Sequence, residues 1–345
     1  MKISNRLKAG LLGIIVSALA LGFIITQLNL DTFIQAWQQA DYSYVVPCLL
    51  LLLLGLFTRA ARWRVLLRDQ LPYKRTFSIM NVAYLVNGVL PFRIGEVARV
   101  YLVSRTKNAI PVFETTSTII VERLLDLLAI AVMVLLALAL GPVPPEIQTA
   151  SIAATVAALV GFAVLIALAN WRDHSAKLVQ RILTVMPFIS EKLAERLHAW
   201  FMQFLDGLLP LTKPSMLLLA VGWTAISWAV SIAAGYVLMF AFFEQGSLAA
   251  TMLYIAAAAF AIALPAVPGN LGTYEGSILL ALVFMGYDQT STAVAFAVMV
   301  HAVNVFVHAS TGVLGFIQEG ISWQQLSQGV RNMQHTNTEA GMTSQ

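Results

Sequence analysis

The stretch from 90 to 126, LPFRIGEVARVYLVSRTKNAIPVFETTSTIIVERLLD, decides how this chain is read. Arg93, Glu96, Arg99, Glu122, Arg123 and Asp126 all fall within it, although the surrounding sequence is strongly apolar. Ionisable groups at membrane depth are costly and persist where they pair or line a wet cavity. These six are therefore the first candidates for substrate binding.

Outward from this stretch the composition is that of a membrane protein. Of 345 residues, 59% are hydrophobic and 11% are charged. Apolar runs recur near the roughly twenty residues a spanning helix needs. This predicts an all-α polytopic membrane protein. The net charge of +4 is no nucleic-acid signal, because the basic residues cluster between spans. The single cysteine, Cys48, lies in an apolar run and permits no intramolecular disulfide.

Full spans are predicted at residues 11–28, 44–67, 112–140, 150–169, 215–243 and 291–317. No small-residue cleavage site follows the first, so it is expected to be retained. Lys2, Arg6 and Lys8, and then Arg59, Arg62, Arg64, Arg68, Lys74 and Arg75, are expected on the cytoplasmic side, with the arginines that end the second span snorkelling to the interface. The linker 29–43 carries Asp31 and Asp41 without Lys or Arg and is expected outside. The loop 141–149 is also expected outside. Both termini are then cytoplasmic.

Segment 170–213 is basic on balance and split by Pro187; within it Leu193, Leu197, Trp200, Phe201, Phe204 and Leu208 recur at helical spacing. An interfacial amphipathic helix and a linker packed on the bundle both fit. After residue 320 the tail is polar and expected to be mobile.

Two places break the pattern. Residues 77–90 are apolar but too short to span, are stopped by Pro91, and are followed by an equally short arm at 94–105. Residues 249–264 are stopped by Pro265, a glycine-rich run follows, and a short arm occupies 277–285. Each break reads Leu-Pro, then a glycine and a glutamate: Gly95 and Glu96 in one, Gly272 and Glu275 in the other. The charge bias places the first on the cytoplasmic side and the second outside. Paired interrupted segments of this kind point to a transporter's midplane site. The prediction is six full spans plus two opposed re-entrant hairpins, eight hydrophobic segments in all. A reading with all eight as plain helices is equally economical. The repeat halves would be 44–140 and 215–318, joined through 170–213 in a single domain of residues 1–320.

The residues at 90–99, 121–126 and 265–275 resemble the three signatures of the flippase-like family, the transmembrane region of lysylphosphatidylglycerol synthases and their stand-alone bacterial and archaeal relatives. The resemblance runs from about residue 11 to residue 317. It implies movement of an aminoacylated or other polar lipid between leaflets of the cytoplasmic membrane. No counterpart of the aminoacyl-transferring domain of two-part members is expected. Two departures stand out: Pro268-Gly269-Asn270 replaces a Pro-Gly-Gly run, and His301 stands where an arginine is expected nearby.

Each candidate has a structural alternative. Glu122, Arg123 and Asp126 would equally make an ion-pair knot, and Arg93 and Arg99 would equally anchor a helix end. Gly269, Asn270, Gly272 and Gly276 can serve turn geometry alone or leave backbone N–H groups free for an anionic headgroup. His301, Asn304 and His308 share a helical face and suit packing or a proton relay. Two histidines without a third ligand are no metal site, and no cofactor motif is visible.

The expected function is transbilayer transport of a polar-headgroup lipid. Arg93, Arg99 and Arg123 would meet a phosphate, while Glu96, Glu122, Asp126 and Glu275 would receive a cationic group or a coupling proton. An intramembrane lipid-modifying enzyme and a non-transporting scaffold are the alternatives. Without a diphosphate motif, GxSxG or Walker loop, the expectation is that the chain is not an enzyme. Its partners would be a membrane lipid substrate, a second copy of itself and a separate enzyme that makes the lipid, with no nucleic acid.

Overall fold

A computed structural model describes residues 5–90, 93–107, 109–140, 145–186, 190–263, 268–287 and 290–342. Pro91, Phe92, Pro187, Asp288 and the segment 264–267 lie outside the described residues, so the Leu-Pro breaks themselves are described only up to Leu90.

Among the described residues the fold is all-helical, and five helices are long and apolar enough to cross a membrane. These lie within α3 (Val45–Leu66), α6 (Val112–Leu140), α7 (Pro145–Asn170), α10 (Pro214–Met239) and α13 (Thr290–Glu319). A sixth span is reached if α1 (Asn5–Gln27) and α2 (Leu30–Gln39), bent by 87°, count as one. Large apolar side chains such as Leu19, Val160, Leu218 and Ile317 stand exposed along these helices. That surface suits a lipid solvent. The protein is a multi-pass membrane protein.

Local chemistry sets several helix boundaries. Asn29 caps α2 by accepting from the Thr32 N–H at 3.0 Å. The linker expected at 29–43 therefore contains an amphipathic helix, packed on α13. Pro214 opens α10 at a position where no amide partner is needed. The loop expected at 141–149 gives way to helix from Pro145 onward.

The short segments form four helices: α4 (Tyr73–Val89), α5 (Ile94–Ser104), α11 (Leu248–Ala263) and α12 (Thr273–Phe284). α4 packs on α5, and α11 on α12. Two apolar cores divide these pairs. Ile79, Val82, Ala98 and Leu102 of α4 and α5 join Trp63, Leu66 and Leu125 in one core. Leu253, Tyr254, Ile278 and Leu282 of α11 and α12 join Cys48, Val134 and Phe296 in the other. The long helices α3 and α6 contribute opposite halves to the two cores.

α3 and α10 form the most extensive helix pair, sewn by a polar ladder. Ser227 donates to Thr58 Oγ1 at 2.9 Å, Arg59 to Ser231 Oγ at 3.2 Å and Arg62 to Thr224 Oγ1 at 3.4 Å. Such interhelical bonds contribute about 0.6 kcal/mol each in a membrane. α13 lies against α4 through two glycines: a Cβ on Gly315 would sit 2.8 Å from Ser78 O, and one on Gly312 would sit 2.9 Å from Asn81 O.

Segment 170–213 forms α8 (Arg172–Val185) and α9 (Glu191–Gly207). α9 packs against α6, with Trp200 stacked on Phe113 and Arg172 paired to Asp206 at 2.6 Å. In the tail expected to be mobile, α14 (Trp323–Met342) forms and buries Leu326 and Val330.

Candidate functional site

The two arms of the break between α4 and α5 are held together by a small set of contacts. Asn87 Oδ1 accepts from the Gly95 N–H at 2.7 Å, and a Cβ on Gly95 would overlap the carbonyl oxygen of Ala83. Only glycine fits there. Arg93 precedes α5 with φ of 52°, a left-handed conformation that costs a non-glycine residue about 1–2 kcal/mol. Its guanidinium is thereby presented at the break, 37% exposed.

α5 and α6 then bring five further charges together. Arg99 meets Glu122 in a two-pronged pair, Nη2 to Oε2 at 2.5 Å and Nη1 to Oε1 at 3.3 Å. The Arg99 guanidinium lies 3.6 Å over the Trp63 ring, adding a cation–π contact. Arg123 reaches Glu96 Oε1 at 3.0 Å, Glu122 Oε1 at 3.2 Å and Asp126 Oδ2 at 3.4 Å. Arg93 approaches the same Glu96 oxygen at 3.9 Å.

Arg62 of α3 completes the cluster. Expected at the interface, it is instead 1% exposed, bound to Asp126 at 2.6 and 3.3 Å and to Glu122 at 3.3 Å. Arg62 does not snorkel because it points inward between α6 and α10, where Asp126 and Thr224 accept from its Nη1. Trp228 of α10, likewise unforeseen, donates to Asp126 Oδ1 at 3.2 Å, and Trp63 donates to Thr118 Oγ1 at 3.1 Å. A signal was present: Gly55, Thr58 and Arg62 share one helical face within the span.

The second group lies at the start of α12. Glu275 Oε2 accepts from the Gly272 N–H at 2.7 Å, and Glu275 Oε1 lies 2.5 Å from His301 Nδ1. Gly269, Asn270 and Gly272 carry positive φ of 73°, 55° and 83°. Tyr274 lies against His301 with ring centroids 4.7 Å apart. The helical face shared by His301, Asn304 and His308 serves different neighbours: Asn304 donates to its own helix at Val300 O, 2.8 Å away, and His308 stacks on Tyr84 of α4 at 5.1 Å.

The segments flanking the two groups touch at one point. α4 packs against the turn Pro268–Asn270, and a Cβ on Gly269 would lie 3.7 Å from Gly88 O. Among the described residues no three His, Cys, Asp or Glu side chains gather as a metal ion requires. Chemically, the first group is a guanidinium-rich surface that can hold a planar or tetrahedral anion. The second is a carboxylate–imidazole pair that can hold or pass one proton.

Two curated relatives align with most of the chain. A UPF0104 membrane protein of Methanothermobacter thermautotrophicus is 25% identical over 271 residues, 76% of this chain and 80% of the relative. The glycosyltransferase AglD of Haloferax volcanii is 24% identical over 345 residues, 90% of this chain and 54% of the relative. The chain thus spans about half the length of AglD. No solved structure matches it significantly. These names correct the expectation of a protein without enzymatic activity, since the matching family is named for a synthase and one relative is named a glycosyltransferase. The chain belongs to the family described as the lysylphosphatidylglycerol synthase TM region, whose model it matches over residues 10–312.

Proposed function

We propose that this protein moves a polar-headgroup lipid, such as an aminoacylated phospholipid, a glycolipid or an isoprenoid-linked lipid, across the cytoplasmic membrane of a bacterium or archaeon. The observation that carries the reading is the guanidinium–carboxylate cluster within the helical bundle, open on the side of Arg93, Glu96 and Arg123. A headgroup would travel along this polar surface while its acyl chains stay against the apolar exterior.

In this reading the α4–α5 and α11–α12 pairs are re-entrant hairpins entering from opposite faces. Their segregation into two separate cores supports that arrangement. Both termini would be cytoplasmic, and residues 1–320 would form one domain with inverted halves. A separate enzyme would supply the lipid, and pairs of the chain would be compatible with the exposed apolar surface.

The names of the family and of AglD favour a second reading, in which the same cluster takes part in chemistry on a lipid. One experiment separates the two. Purified protein in liposomes is tested for leaflet exchange of headgroup-varied fluorescent lipids, and the lipids are then analysed for chemical change. Exchange of unaltered lipid that falls at least about tenfold in Arg123→Gln is the expected result, the size following from loss of a charge-assisted contact. Altered product would favour the enzymatic reading. Exchange indifferent to Arg123 would remove the cluster from the transport path.

A further inference from the structure

We propose that the headgroup carries negative charge with no balancing ammonium, as in a lipid phosphate, and binds between Arg93 and Arg123 at a position that Glu96 fills when the site is empty. The proposal rests on the lipid-handling reading above and sharpens its substrate class.

The charges of the cluster sort into two layers. In the inner layer Arg62 and Arg99, each 1% exposed, pair with Asp126 and Glu122, and the charges balance. The outer layer holds Arg93 and Arg123, 37% and 31% exposed, and Glu96, 21% exposed, with Arg123 also reaching inward to Glu122 and Asp126. Four arginines share three carboxylates, so the cluster carries one positive charge in excess, and Arg93, with only a 3.9 Å contact, is the least compensated. An uncompensated cation at membrane depth is costly, and an arriving anion would relieve it.

The geometry names the position. Both rim guanidiniums converge on one oxygen, Glu96 Oε1, at 3.0 Å from Arg123 and 3.9 Å from Arg93. The other oxygen, Glu96 Oε2, is buried without a hydrogen bond, 3.6 Å from Arg99. The carboxylate is thus a poor fit for donors that a tetrahedral phosphate, with more acceptor oxygens, would satisfy together. Arg123 is kept aimed by Glu122 and Asp126, while Arg93 is positioned by its left-handed backbone. A cationic headgroup would have to displace an arginine from Glu96 and would meet a positive rim. At the second group, Glu275 is already occupied by His301. Glu96 is on this account an internal competitor of the substrate, not the receiver of an ammonium group.

The test is calorimetric titration of the detergent-solubilised full chain with four probes: short-chain phosphatidic acid, phosphatidylethanolamine, lysylphosphatidylglycerol and inorganic phosphate. Phosphatidic acid should bind most tightly. Glu96→Gln should tighten it about tenfold and Arg93→Gln weaken it about tenfold, the scale of a single close charge pair. Arg93→Lys should recover part of the loss, which a merely folding-related effect would not. Tightest binding of lysylphosphatidylglycerol, or unchanged or weaker phosphatidic acid binding in Glu96→Gln, would overturn the proposal. Inorganic phosphate binding as tightly as phosphatidic acid would overturn the lipid assignment. Selective binding with no leaflet exchange would sink the transport reading and leave this site standing. Exchange blind to headgroup charge would do the reverse.

Discussion

Arg62 and Arg93 are both arginines of one charge cluster, yet burial gives them opposite roles. Arg62 is sealed between Asp126, Glu122 and Thr224, so its loss removes a buried charge partner from both carboxylates and leaves a cavity in the interior. Arg62→Ala should destabilise the purified protein by about 3–5 kcal/mol. Arg93 is over a third exposed and makes only a 3.9 Å contact, so Arg93→Gln should cost less than about 1 kcal/mol. Denaturant or thermal melts of the two variants in one detergent check this; equal losses would contradict the layered arrangement. Glu122 belongs with Arg62 in this respect, since both Arg62 and Arg99 depend on it. A transport defect in a Glu122 variant would therefore mix folding with function, which makes Arg123 and Arg93 the cleaner probes. Residue types alone identified five members of the cluster on α5 and α6 together with Arg93. They did not reveal Arg62, because an arginine near the end of a span reads as an interfacial anchor unless its neighbours are known.

At the scale of elements, the glycine contacts show which helix pairs are fixed by backbone approach. A Cβ on Gly207 would overlap both Glu114 O and Ser117 Oγ, so α9 is seated directly on the base of α6. Gly95 seals the α4–α5 break in the same way. Gly207→Ala and Gly95→Ala should each cost about 1–3 kcal/mol through overpacking. Gly222→Ala in α10, where a Cβ meets nothing within 4 Å, should be neutral or stabilise by up to about 1 kcal/mol. Size-exclusion profiles after graded heating would rank the three; a Gly222 variant as damaged as the Gly207 one would argue against these helix contacts. Gly95→Ala should also reduce lipid binding, since Asn87 and Gly95 position Arg93. The short helices were visible as interruptions by proline and glycine, but the seating of α9 and the docking of Leu326 and Val330 depend on contacts between distant segments that periodicity does not encode.

For the molecule as a whole, the expectation to test is sidedness. Cys48 is buried, so a Cys48→Ala background leaves single introduced cysteines as the only reactive thiols. Asp31→Cys and Glu244→Cys should react with an impermeant maleimide added outside intact cells, and Lys107→Cys only after the membrane is opened. Labelling of all three from one side would refute the opposed arrangement of the two short-helix pairs. The positive-inside bias supplies this expectation, and the division of the short helices between two cores is consistent with it.

The amino-acid sequence by itself determined that the chain is helical and membrane-embedded, roughly where its long helices lie, and which short stretches are interrupted. Hydrophobic length, proline and glycine act locally, so those features are readable along the chain. Only the tertiary structure decided that Arg62, Trp63, Thr224 and Trp228 close around Glu122 and Asp126, that Glu275 is held by His301, and that the turn at Gly269 meets Gly88. Those outcomes depend on which helix faces meet. In a bilayer the apolar exterior hardly constrains that choice, so small residues and polar pairs between helices make it.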